Sequence, residues 1–135
     1  MLETINMVGY ALTSMSYNTE AIPDDQGQYQ LTVESVGDMQ FSHDDEDEYI
    51  LKSKFKSEIT GTSDTSKSTA FKLAFEFTIF FETTKETFEF TCNNDDYLKS
   101  NKWFFTNFAH VLVREIGEDV FNHTSYKGLR LPNGR

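Results

Sequence analysis

Between Ala70 and Thr91 the chain reads AFKLAFEFTIFFETTKETFEFT, and apolar side chains recur at every second position through Phe71, Leu73, Phe75, Phe77, Ile79 and Phe81. A period of two belongs to a strand. The alternate positions Lys72, Ala74, Glu76, Thr78 and Glu82 are polar or small, so one face of this strand is suited to a core and the other to water. That division predicts an antiparallel sheet with one buried face. Thr83 to Glu86 reads as a break before Phe88 and Phe90.

The same alternation predicts three further strands. Tyr49 to Ile59 sets Tyr49, Leu51, Phe55 and Ile59 against Lys52, Lys54, Lys56 and Glu58. The Gly-, Ser- and Thr-rich stretch Gly61 to Ser68 then makes a hairpin with the Phe-rich strand. Tyr29 to Phe41 alternates through Tyr29, Leu31 and Val33 until Gly37 and Asp38 predict a bulge or bend before Met39 and Phe41. Met7 to Tyr17 reads as a first strand, with Val8, Tyr10 and Leu12 on one side and Met7, Ala11, Met15 and Tyr17 on the other, so its faces are not cleanly separated. Pro23, Asp24, Asp25 and Gly27 mark the turn that follows it. Near Asn93, Asn94, Asp95 and Asp96, which are candidate helix N-caps, the period changes. Phe105, Phe108, Ala109, Leu112, Val113, Ile116 and Val120 then form one stripe of a helix ending near Asn122. Gly128 and Pro132 punctuate a closing segment, Leu129 to Leu131.

At 135 residues the chain is expected to be a single domain, 1–135, with one core. Its 22 acidic and 12 basic residues, a formal charge of −10, repel phosphate backbones and anionic lipid, so nucleic acid and membranes are not expected as partners. The first residues, MLETINMVGY, lack the basic and apolar regions of a secretion signal, and the expected compartment is the cytoplasm. The single cysteine, Cys92, has no cationic activator beside it in the sequence, which favours a buried or strand-end structural role.

Catalytic and metal chemistry leave little trace. His43, His110 and His123 are not spaced with another His or Cys in a zinc pattern. Asp44 to Glu48 is an unbroken acidic block whose simplest form is a solvated hairpin loop; a calcium or basic-partner site is the alternative, although EF-hand spacing is missing. His110 and Arg114, one helical turn apart, read as a solvated face or a contact for an acidic partner, and His123 as a helix C-terminal cap. There is no G-x-S-x-G elbow and no phosphate loop, so no enzyme, cofactor or metal is expected.

Aromatic residues are the distinctive resource. Phe71, Phe75, Phe77 and Phe81 match a core beneath the helix, whereas Phe80, Phe88, Phe90, Trp103 and Phe104 exceed what that core needs. Such an excess closes an oligomer interface or lines a groove for apolar ligands.

In order along the chain, several segments resemble those of the SecB-like chaperones. TSMSYN is similar to the family's first-strand motif, and Pro23 stands in the crossover that follows. YILKSKFKSEITG resembles the third strand, STAFKLAFEFTIFF the fourth with its T-A-F opening, WFFTNFAHVLVREIGEDVF the long helix, and YKGLRLPNG the aromatic-x-x-L-x-L-x-P segment after it. The helix lacks the family's proline-containing L-F-P-Y-A-R opening, and Arg135 is reached without the second helix and tail of typical members. Ser14 and Asn18, uncharged here, correspond to acidic positions that touch the translocase in the export branch, so coupling to a translocase is not implied. The resemblance implies an α+β domain: a four-stranded antiparallel sheet with a long C-terminal helix on one face, assembled as a dimer or dimer of dimers. It also implies a protein that holds unfolded clients without nucleotide, for export or to steady an antitoxin. Phe80, Phe88, Phe90, Trp103 and Phe104 are the candidate client contacts. Two rivals use the same elements: an accessory factor of a phage or mobile element, or an antitoxin partner, that binds one folded target; and a carrier or enzyme with an enclosed Phe-lined cavity and an inward polar group such as Tyr49 or His110.

Overall fold

A computed structural model describes residues 1–19, 27–44, 46–63 and 69–123. The turn at Pro23 and the closing segment around Leu129 to Pro132 lie outside the described residues. After a 3-10 turn at Leu2–Thr4 come five strands, β1 (Asn6–Thr19), β2 (Gly27–Ser35), β3 (Gln40–His43), β4 (Tyr49–Ser63) and β5 (Thr69–Thr83), and then three helices, α1 (Lys85–Cys92), α2 (Asp95–Ser100) and α3 (Lys102–Phe121).

The architecture is α+β, with an antiparallel sheet in the order β1-β5-β4-β2 and β3 also paired to β4. Five strands stand where the alternation predicts four, because Gly37 takes a positive φ of 71° and breaks the second segment between Ser35 and Gln40. The two pieces lie along the same edge of β4, β2 opposite residues 55–63 and β3 opposite 49–52.

Period two is kept along β5. Phe71, Leu73, Phe75, Phe77, Ile79 and Phe81 are all buried, and the core continues through Leu51, Phe55 and Ile59 of β4. Helix α3 covers this face with Phe105, Ala109, Leu112, Val113, Ile116 and Phe121. Each large side chain so buried contributes about 1.5–3 kcal/mol. Phe81 meets Phe105 edge-on at 5.1 Å near one end of the helix, and Phe71 meets Phe121 at 5.0 Å near the other.

The segment after β5 departs from its sequence pattern. Phe88 and Phe90 alternate as they would in a strand, but Thr84 starts a helix by accepting the Thr87 backbone N–H at 3.2 Å. Thr87 and Thr91 point into the protein, where the Thr87 hydroxyl lies 2.7 Å from that of Thr4 and the Thr91 hydroxyl donates to the Thr87 carbonyl at 2.9 Å. Asn93 and Asn94 end this helix, since their side-chain amides donate back to the carbonyls of Glu89 (2.8 Å) and Phe90 (2.6 Å). Asn94 also occupies the N-cap position of α2, although its side chain accepts no capping bond there.

Candidate polypeptide-binding surface

Strand β1 forms one edge of the sheet, and two irregularities decide what it displays. The pairing with β5 shifts between Met7 and Gly9 and again between Leu12 and Ser14, which leaves Val8 and Thr13 as extra residues. Directly opposed residues in an antiparallel pair share a face. Met7, Tyr10, Leu12, Met15 and Tyr17 lie opposite Phe81, Ile79, Phe77, Phe75 and Leu73, so all five join the core side. Simple alternation divides these residues between two faces; the bulges reunite them. The strand contains no Asp, Glu, Lys or Arg over its 14 residues. It is also open to solvent, with Val8, Tyr10, Leu12 and Met15 exposed at 55%, 46%, 44% and 51%.

Next to β1, α3 presents a second apolar stripe outside its buried one. Phe104 and Phe108 are half-buried and 5.4 Å apart between ring centres, and Val111 one turn further on is 57% exposed. Met7 of β1 joins Phe108, Val111, Leu112, Asn107 and Glu115 around a groove of about 370 Å³. On the far side of Val111 a second depression of about 300 Å³ is bounded by Arg114, Glu115 and Glu118, where Arg114 Nε stands 3.7 Å from Glu118 Oε1. Apolar groups therefore line the middle of this surface and charges its rim.

The five aromatic candidates do not form one patch. Trp103 is exposed and its ring lies 6.0 Å from Phe104, which continues through Phe108 into the groove. Phe80 is half-buried on the opposite face of the sheet, 6.0 Å from Lys52 Nζ. Phe88 packs against Phe41 at 5.7 Å and Tyr49 at 5.1 Å, and Phe90 against Tyr97 at 5.1 Å. Sequence reasoning did not select Val8, Tyr10, Leu12, Met15 or Val111. The missing charge from Asn6 to Thr19 is the signal that would have found the strand.

The acidic block ends as a turn. Asp44 Oδ1 accepts the backbone N–H groups of Glu46 and Glu48, both at 3.0 Å, and these bonds hold its carboxyl below the usual range. The Asp44 charge in turn pushes the Glu48 carboxyl up. Carboxylate oxygens of Asp44, Glu46 and Glu48 lie within 4.8 Å of one another, and all three residues are exposed. The His43 ring lies against that of Tyr49, centres 4.6 Å apart and planes tilted by 33°. No helix among the described residues is long and apolar enough to cross a membrane.

No family model and no curated protein matches the chain. Among solved structures it is similar to the Mycobacterium tuberculosis Rv1957 SecB-like chaperone, solved in complex with a ChAD peptide from the Rv1956 HigA1 antitoxin. The likeness has a TM-score of 0.59 at 12% identity and covers 97% of this chain and 91% of that one. The fold is thus SecB-like, an antiparallel sheet with a long helix across one face.

Proposed function

We propose that this protein is a chaperone-like binding protein that holds an unfolded or partly folded polypeptide, without nucleotide, along β1 and the outer stripe of α3. The observation that carries this reading is the uncharged free edge. Edge strands are ordinarily protected by charge, proline or brevity, because an unprotected edge recruits another strand; β1 has 14 residues and neither proline nor charge. An extended client adds main-chain hydrogen bonds along it and sends alternate side chains toward Tyr10, Leu12, Met15 and the Phe108 groove. Trp103 and Phe104 prolong that apolar surface, while the net charge of −10 keeps the loaded complex dispersed. Phe80, Phe88 and Phe90 lie elsewhere, and the reading rests on Trp103 and Phe104 from the original set. The cytoplasm is the proposed setting. The same apolar surface suits association of copies into a dimer or dimer of dimers, which light scattering over a concentration series tests.

A second reading, a dedicated factor for one partner, is supported by the similar structure having been solved with a peptide from an antitoxin. Aggregation assays with several unrelated unfolded substrates separate the two. General holding predicts suppression with most of them, lost in Leu12→Lys with Met15→Lys and weakened in Trp103→Ser with Phe104→Ser while both variants keep a native circular dichroism spectrum. Suppression of none, with saturable one-to-one binding of a single partner, selects the second reading. Full suppression by both folded variants removes this surface from either.

A further inference from the structure

The sheet face turned away from α3 has its own pattern of charge. Cross-strand pairing sets residues in rows across it. One row holds Glu34, Lys56, Glu76 and Ser14, and the next Thr32, Glu58, Ala74 and Ser16. At this end the cations are matched, with Lys56 Nζ 3.4 Å from Glu34 and Lys72 Nζ 2.8 Å from Glu58. Toward the other end the rows are Gln40, Lys52, Phe80 and Gly9, then Lys54, Thr78 and Ala11. They contain two lysines, Lys54 exposed and Lys52 half-buried with its ammonium 6.0 Å from the centre of the Phe80 ring, and no carboxylate. The ion pairs of the described residues include neither Lys52 nor Lys54.

The space beside these lysines is open. A Cβ placed on Gly9 meets nothing within 4 Å, so the strand next to Phe80 leaves room above the sheet. The trough of about 430 Å³ on this face lies at the ion-paired end instead, bounded by Glu34, Lys56, Glu58, Ala74 and Glu76, and neither Lys52 nor Lys54 lines it. Phe80 offers a half-buried ring beneath Lys52.

We propose that this face docks an extended acidic segment of a partner protein, with carboxylates on Lys52 and Lys54 and an apolar side chain against Phe80. Residues two apart in a strand are separated by about 6.8 Å. A partner in extended form with acidic residues at alternate positions therefore brings one carboxylate to each lysine. A nucleic acid fits poorly, since its unbroken run of phosphates would continue over Glu34, Glu76 and Glu82 beside the patch, where a peptide can place uncharged residues. The patch lies on the opposite side of the sheet from the α3 groove, so it is independent of the client reading above.

Fluorescence anisotropy with a short labelled peptide of alternating glutamate and serine carrying one phenylalanine tests the proposal on the full chain. Saturable binding is expected, weakened roughly tenfold by Lys52→Glu with Lys54→Glu. Lys56→Gln with Lys72→Gln should leave it within about twofold, because those lysines are already paired. Lys52→Arg with Lys54→Arg should keep binding, which separates charge from any effect on folding. The proposal is overturned by unchanged affinity in the charge-reversed variant or by loss in the arginine variant. Equal binding of a glutamine-for-glutamate peptide or of a short oligothymidylate overturns it too.

Discussion

Gly61 sits in β4 directly opposite Phe71 of β5, and the Phe71 ring lies across the place where a side chain would project. A Cβ at position 61 would stand 2.5 Å from Phe71 Cζ and 2.6 Å from its Cδ1, so the ring has to move. It cannot move freely: Phe71 is buried and meets the wholly buried Phe121 edge-on at 5.0 Å, and Phe121 in turn touches Tyr17 at 6.2 Å. Gly61→Ala gains about 0.5–1 kcal/mol from a less flexible backbone. Against this stand about 1–3 kcal/mol for overpacking and about 0.5–1.5 kcal/mol if the aromatic edge contact is lost. The net expectation is destabilisation by about 0.5–4 kcal/mol, a fall of roughly 0.3–2 M in the urea midpoint at fixed protein concentration. Repeating the substitution in a Phe71→Leu background should bring its cost to within about 0.5 kcal/mol of zero, since the obstructing ring is gone. An unchanged or raised midpoint for Gly61→Ala, or the same cost in both backgrounds, refutes the reasoning.

Three smaller predictions follow from single contacts. Thr84→Ala removes the acceptor for the Thr87 N–H and should cost about 1 kcal/mol in thermal or urea melts, whereas Thr84→Ser keeps the cap; equal losses in both variants would assign the effect to something other than capping. Lys72, by hydrogen bond and charge, holds the Glu58 carboxyl low, and Glu58 likewise raises the Lys72 ammonium. The Glu58 contribution is present above the ordinary glutamate value and lost as pH falls through its lowered one; that of Lys72 is present below the ordinary lysine value and lost as pH rises through its raised one. Replacing Lys72→Met should move the Glu58 midpoint upward in an NMR titration, and a stationary midpoint contradicts the pairing. Cys92 is exposed at the end of α1, yet the slight desolvation it has there pushes its thiol up, so alkylation of the native protein should run slower than that of a free thiol and speed up in denaturant; a faster native rate is the contrary result.

The fold was legible where one local signal agreed with its surroundings. The alternation of β4 and β5 survives because both strands are central and bury the same face. The stripe from Phe105 to Ile116 survives because α3 has one sheet to cover. Elsewhere a local pattern was overruled. Phe88 and Phe90 mimic a strand, but a threonine cap and two inward threonines make the segment a helix, and only the tertiary fold supplies Thr4 as a partner for Thr87. The proposed binding surface was hidden by register: Val8 and Thr13 add a residue each, so simple alternation divides an apolar face that the pairing assembles whole. The five aromatics chosen by abundance mix exposed Trp103 with Phe88, a ring engaged by Phe41 and Tyr49, because composition carries no information about contact.

Strand order also sets a timetable. Met7 lies opposite Phe81 and Thr19 opposite Phe71, so β1 is synthesised well before the strand it pairs with. The β4–β5 hairpin can zip up from its own turn, while closing the long loop to β1 comes at greater entropic cost and therefore later. Until then the newborn chain carries β1 as an oily, uncharged, unpaired ribbon. In its own biogenesis the protein passes through the condition of the molecules it is proposed to shelter.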